Sequence, residues 1–203
     1  MSEVYKTAVE IERAKPEDAE AICGIRDRAW LESYPNDERG ITRDDILLIA
    51  QGPNGAYLPK RIAYLTEQFI NDNGSGMGTF VARTNGKVVG YTDPHIDESG
   101  RRRIGAMYVA PEAQGAGVGS QLIQQALAVL GRDEDIYVEV VAYNQKAISF
   151  YEHVGFKKTD AVVPEQVGRP NYLKSLPQVE MVLRAVSAGS AAAGCLGSAA
   201  RRH

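Results

Sequence analysis

Three glycines alternate in Gln114-Gly115-Ala116-Gly117-Val118-Gly119-Ser120, between a strand-like run ending at Val109-Ala110-Pro111 and a helix-like run beginning near Val118. Glycine opens backbone conformations closed to other residues and lets a ligand approach the main chain directly. At the mouth of a helix such a loop aims N–H groups from the positive end of the macrodipole, which suits an anion such as a pyrophosphate. Two common phosphate loops do not fit. A Walker loop needs Lys-Ser or Lys-Thr after its last glycine, where Ser120-Gln121 stands. The dinucleotide fingerprint needs a glycine at the sixth position from Gly115, which is Ser120. Downstream, Glu139 interrupts an apolar and aromatic run, and Tyr151 follows Asn144 by seven residues, close to two helical turns.

The spacing that does fit is Gln-x-x-Gly-x-Gly, read as Gln114, Gly117 and Gly119, preceded by Met107-Tyr108-Val109 and followed by Asn144, Tyr151 and Gly155-Phe156. Loop, strand and downstream Asn-x6-Tyr-x3-Gly-Phe, in this order, resemble the GCN5-related N-acetyltransferase family over roughly Thr79 to Phe156. The resemblance implies acetyl-coenzyme A as co-substrate. It further implies that the main chain of Met107, Tyr108 and Val109 pairs with the pantetheine arm and offers an N–H to the oxyanion. The amides of Gly115, Ala116, Gly117, Val118, Gly119 and Ser120 would then take the pyrophosphate, with Gln114 where Arg or Gln is usual and Asn144 in contact with the coenzyme. The tyrosine matching Tyr151 is the usual general acid. The segment Val138 to Asn144 is similar to that of the ribosomal-protein N-terminal acetyltransferase branch, in which the glutamate matching Glu139 is the base.

Amide formation from a thioester needs a neutral amine, a stabilised oxyanion and a proton for the departing thiolate. An alkyl ammonium with pKa about 10.4 leaves roughly one amine in a thousand nucleophilic at neutral pH, so a base is useful. Strand alternation sets Tyr137, Glu139 and Val141 on one face and Ile136, Val138, Val140 and Ala142 on the other. A carboxylate there is expected to be partly desolvated, with a raised pKa that suits a base; the alternative is that it pairs with a nearby arginine. His95, read as a loop residue after Asp93-Pro94, is the second candidate base. A phenol with pKa about 10 stays protonated at neutral pH and can donate to a thiolate whose acid titrates near 8.5, which fits Tyr151. The same residue also belongs to a buried stripe with Ala147, Ile148 and Val154, and burial and donation are compatible. Neither cysteine, Cys23 nor Cys195, sits in a nucleophile motif, which favours direct transfer without an acetyl-enzyme.

These residues need a scaffold of strands and helices. Val9 to Arg13 reads as a strand, Pro16 to Tyr34 as a helix opened by Pro16-Glu17-Asp18, and Thr42 as the N-cap of a short helix ending at Gln51-Gly52-Pro53. A further helix is expected from Pro59 to Asn71. The region from Pro16 to Asn71 either shapes an acceptor pocket or serves as scaffold. Thr79 to Arg83 and Lys87 to Thr92 flank Asn85-Gly86, a hairpin signal. Strands at 103 to 109 and 136 to 142 enclose a helix at 118 to 130, whose apolar residues recur at helical spacing and which Gly131 stops. Short links of this kind give a parallel crossover. A helix at 146 to 154, a strand from Phe156 and a last strand near Val179 to Ala185 complete an α/β (α+β) fold. The expected sheet is mixed and mostly antiparallel, flanked by helices, with one parallel β-α-β crossover at the loop.

A chain of 203 residues suits one domain, expected over 1–186, followed by a Ser/Ala/Gly-rich tail at 187–203 with too little apolar bulk to order. Its net charge of −3 offers no general attraction to nucleic acid or anionic membrane. No apolar run spans a bilayer and no signal-peptide order opens the chain, so a cytoplasmic location is expected. Two cysteines make neither a disulfide framework nor a zinc site. The expected acceptor is a primary amine of a small molecule or a peptide N-terminus, with Trp30, Tyr34 and Tyr172 as pocket aromatics and Pro164 to Pro177 as a loop beside the site. A homodimer is among the arrangements the resemblance admits. A sensor of acetyl-coenzyme A is the competing class, although it would need the loop and neither Glu139 nor Tyr151. A partner-docking scaffold is a third.

Overall fold

The computed structural model describes residues 8–74, 76–163 and 176–186. A seven-stranded sheet runs through it in the order β1-β2-β3-β4-β5-β7-β6. The strands are β1 (Glu10–Arg13), β2 (Phe80–Thr84), β3 (Lys87–Ile96), β4 (Arg102–Val109), β5 (Ile136–Val141), β6 (Lys157–Val162) and β7 (Gln178–Leu183). Every neighbouring pair is antiparallel except β4 and β5. The helices are α1 (Ala19–Ser33), α2 (Arg43–Gln51), α3 (Tyr57–Asn71), α4 (Val118–Leu130) and α5 (Gln145–Val154). The mixed sheet with one parallel pair is therefore present.

Local chemistry accounts for most element ends. Asn85 and Gly86 both take positive φ, which lets the β2–β3 hairpin turn tightly. Thr42 caps α2 by accepting from Asp45 N while the Asp45 carboxylate returns to Thr42 N. Helix α3 begins two residues earlier than expected, at Tyr57, because proline is tolerated within a first helical turn. The larger difference is β3, which continues to Ile96 rather than ending at Thr92. Pro94 stands at a register shift, where its missing N–H leaves no gap in the ladder, so His95 is a strand residue and not a loop residue.

Two packed layers sandwich the sheet. Ile123, Ala126 and Leu130 of α4 and Ile148 and Tyr151 of α5 cover Ile104, Val138 and Val140 on one face. Ile22 and Ile25 of α1 and Phe69 of α3 cover Val81 and Tyr91 on the other. Helix α1 is tied to α2 through buried Arg26, which donates to Ala50 O at 2.8 Å and to the Asp27 carboxylate, itself held by Gln51 Nε2. At Gly90 both β4 and α4 come close to β3: a Cβ there would stand 2.9 Å from Tyr108 O and 3.0 Å from Leu122 Cδ1. Gly90→Ala is expected to destabilise the fold by about 1–3 kcal/mol in a denaturant titration, as overpacking does. An unchanged midpoint would show that β4 and α4 both give way without cost.

The residues from Pro164 to Ser175, with Tyr172 among them, and the tail from 187 onward lie outside the described residues. Among the described residues, no helix is long and apolar enough to cross a membrane.

Candidate functional site

The site originates in a strand defect. Asp93 pairs with Ala106 and Pro94 with Ile104, leaving Gly105 as an extra residue on β4. A bulge bends its strand and increases local twist. A Cβ there would stand 2.4 Å from His95 Cε1, so glycine lets the imidazole lie against the bulge. Strands β4 and β5 pair only over Arg102–Ile104 with Ile136–Val138, after which their ladder stops. β4 remains held by β3 and β5 by β7, so the two strands part like a fork. A cleft of about 440 Å³ fills the fork.

One wall is Gly105 to Val109 of β4; the other includes Val138, Glu139 and Val140 of β5. Ala147, Phe150 and Tyr151 of α5 and Ala29, Ser33 and Tyr34 at the end of α1 complete it. The Tyr143 hydroxyl donates to Tyr34 O at 2.8 Å, joining the end of β5 to the end of α1. At one end of the cleft lie Gln114, Gly115, Gly117, Gly119 and Ser120. Gly115 and Gly117 take positive φ, and a Cβ on either would meet no protein atom within 4 Å, so the loop is open on the side a ligand would use. Helix α4 starts there with no side-chain cap, leaving its first amides free to bind an anion.

Most of the residues singled out in the sequence thus meet in one cleft: Met107, Tyr108, Val109, Gln114, Gly115, Gly117, Gly119, Ser120, Glu139, Asn144 and Tyr151. Ala116 and Val118 do not line it. Ala116 is exposed, and the Val118 side chain packs with Ala82 and Leu122 beneath the loop. Asn144 caps α5 by accepting from Ala147 N at 3.1 Å. Of the aromatics, Tyr34 reaches the cleft, whereas Trp30 packs behind it, with ring centroids 5.5 Å from Tyr34 and 6.5 Å from Tyr108.

Tyr151 is 5% exposed and stacks edge-on against Phe150 and Phe156. Burial, and secondarily the neighbouring Tyr108, pushes its phenol well above the ordinary value, so the proton is firmly held at neutral pH. The Glu139 side chain is 36% accessible, and Arg103 Nη1 donates to it at 2.8 Å, which is the arginine pairing left open as the alternative. Register explains the pairing. Glu139 lies directly across from Glu180 of β7, and such like charges repel unless a cation intervenes. Arg103 bridges both and also donates to Asp97 Oδ2 at 2.7 Å. His95 lies beside Asp93, with Nδ1 3.4 Å from Asp93 O, behind the bulge at Gly105.

Asp97 holds this network at the β3–β4 turn. Hydrogen bonds from the Ser99 hydroxyl, then from Arg101 N, Arg103 and Ser99 N, keep its carboxyl far below the usual carboxylate range. A depressed folded value contributes stability that is present above the unfolded pKa near 4 and lost as pH falls through the folded value. The melting temperature of the wild type should therefore fall towards that of Asp97→Asn on acidification from pH 6 to pH 3. A gap between the two that does not change with pH would contradict this role.

Lys146, Phe150, Gly105, Ala29 and Ser33 also line the cleft but were not singled out from the sequence. The available signal was Gly105, since glycine inside a strand often marks a bulge.

The sequence model described as "Acetyltransferase (GNAT) family" matches residues 43–156. The chain belongs to the acetyltransferase (GNAT) family. Among relatives of this GNAT chain, the peptidyl-lysine N-acetyltransferase YiaC of Escherichia coli is 34% identical over 101 residues, 50% of this chain and 64% of the relative. The E. coli peptidyl-lysine N-acetyltransferase YjaB is 31% identical over 78 residues, 38% of this chain and 51% of that protein. These matches thus span between half and two thirds of each relative's length. The GNAT fold is shared with the PaiA N-acetyltransferase from Thermoplasma acidophilum, solved in complex with coenzyme A. That match has TM-score 0.63 at 16% identity and covers 87% of this chain and 99% of the other. It is also shared with the ribosomal-protein-S18-alanine N-acetyltransferase from E. coli, at TM-score 0.56 and 19% identity, covering 91% and 98%.

Proposed function

We propose that this protein is an acetyl-coenzyme A-dependent N-acetyltransferase acting on a primary amine by direct transfer. The observation that carries the reading is the fork: a glycine loop with free helix amides at one end of a cleft whose walls are strand edges lacking a ladder partner. Those features fit an elongated ligand with an anionic end and an amide-bearing arm, as acetyl-coenzyme A has. The thioester supplies the activated acetyl group. The chain binds the diphosphate on the amides of Gly115 to Ser120 and orients the arm along Met107 to Val109. Glu139, the sole carboxylate among the described cleft residues, takes the proton from the incoming ammonium, directly or through water. Tyr151 holds a proton at its hydroxyl for the departing sulfur. Residues 1–186 form the acetyltransferase domain in this reading.

For the acceptor, the two peptidyl-lysine relatives favour a lysine side chain of a peptide or protein, with small alkyl amines next. Such an amine is protonated at neutral pH and depends on a base more than a peptide α-amine does. His95 is the second reading of the base; it does not line the cleft but stands against Gly105, which does. Steady-state rates of Glu139→Gln and His95→Gln on one lysine peptide separate the two. The larger loss of kcat is expected for Glu139→Gln, and the reverse order would transfer the role to His95.

A further inference from the structure

Among the described residues lining the cleft, Lys146 is the sole basic side chain. It stands at the second position of α5 with its side chain exposed, and its ammonium donates to Gln114 Oε1 across the cleft's end. Gln114 Nε2 in turn donates to Val109 O at 3.3 Å. An ammonium carries three donors and a full charge, whereas an amide oxygen satisfies one donor and neutralises nothing. The bond therefore aims Lys146 at the glycine loop without consuming its charge. The loop's amides supply only partial positive charge, equivalent to roughly half an elementary charge at the helix terminus. A diphosphate would leave most of its charge uncompensated there.

We propose that Lys146 is the countercharge for the diphosphate of the bound coenzyme, delivered from α5 rather than from the loop. Gln114 is the residue that positions it. This rests on the acetyl-coenzyme A reading. It adds a recognition element outside the glycine loop and makes coenzyme affinity depend on α5 and the loop keeping their separation.

Calorimetric titration of acetyl-coenzyme A and of 3′-dephospho-acetyl-coenzyme A into folded protein at low ionic strength tests it. Lys146→Gln should weaken binding of both ligands roughly tenfold, as loss of a charge-assisted hydrogen bond does, with the penalty shrinking as salt is added. Lys60→Gln, which removes the same charge from an exposed position on α3, should change nothing. Gln114→Ala should weaken binding in the wild type and not in the Lys146→Gln background, because a positioning residue has nothing left to position. Wild-type binding that survives Lys146→Gln intact would overturn the proposal while leaving the acetyl-coenzyme A reading standing. A penalty absent from the 3′-dephospho ligand would move the contact to the 3′-phosphate, and an equal penalty from Lys60→Gln would reduce it to a general field; either overturns the assignment. Equal penalties from Gln114→Ala in both backgrounds would remove its positioning role. A wild type that binds neither ligand would sink both this inference and the function beneath it.

Discussion

Glu139→Gln is expected to lower kcat by about 10²–10⁴-fold at neutral pH, with the affinity for acetyl-coenzyme A unchanged. The substitution keeps the shape and one acceptor oxygen but removes the group that can take a proton. Arg103 should stay in place, because Asp97 and Glu180 still hold it. The fold should therefore survive, since Glu139 is exposed and contributes no core. The expected pH signature is a recovery of rate in alkali, where more of the acceptor is already neutral and the base is needed less. Loss of coenzyme binding in the variant would mean that Glu139 shapes the cleft instead. A kcat within a fewfold of the wild type would mean that water or His95 takes the proton.

The second large effect is expected from Tyr151→Phe, roughly 10²-fold in kcat with little change in acetyl-coenzyme A affinity. Burial keeps the phenol protonated, and the same burial makes full release of that proton uphill, so the hydroxyl acts first as a hydrogen-bond donor to developing charge. The variant retains the ring that packs between Phe150 and Phe156, which should preserve stability at neutral pH. The alkaline limb gives an independent check. A raised folded pKa contributes stability that is present below the unfolded value near 10 and lost as pH rises above it. Tyr151→Phe should therefore unfold less readily than the wild type as pH is raised through 10, relative to their difference at pH 7. A kcat near that of the wild type would reduce Tyr151 to a packing residue.

Which parts of this site were legible in the sequence follows from the range of the interactions involved. The glycine loop, the Asn85-Gly86 turn, the Thr42 cap and the apolar stripe of α4 are local signals, and each appears where its residues place it. The bulge at Gly105 depends on the register between β3 and β4, and the fork on the early end of the β4–β5 ladder. Neither is written in a single segment. A strand read as Lys87 to Thr92 leaves His95 in a loop, whereas the bulge absorbs Pro94 and β3 runs on to Ile96. The arginine that pairs with Glu139 could not be named from the sequence for a similar reason. Arg103 is 36 residues away, and β7, which brings Glu180 opposite, inserts between β5 and β6 out of chain order. Lys146 was invisible because a lysine in a first helical turn ordinarily faces solvent, and only the fold brings Gln114 to it.

The most direct test of amine acetylation mixes the wild-type protein with acetyl-coenzyme A and a pool of lysine peptides, polyamines and aminoglycosides, reading free coenzyme A thiol and product mass together. Stoichiometric thiol release is expected, with the mass of one acetyl group added to a primary amine and no acetylated protein intermediate. Tight acetyl-coenzyme A binding by the folded protein without any acetylated amine would contradict amine acetylation and favour a sensor.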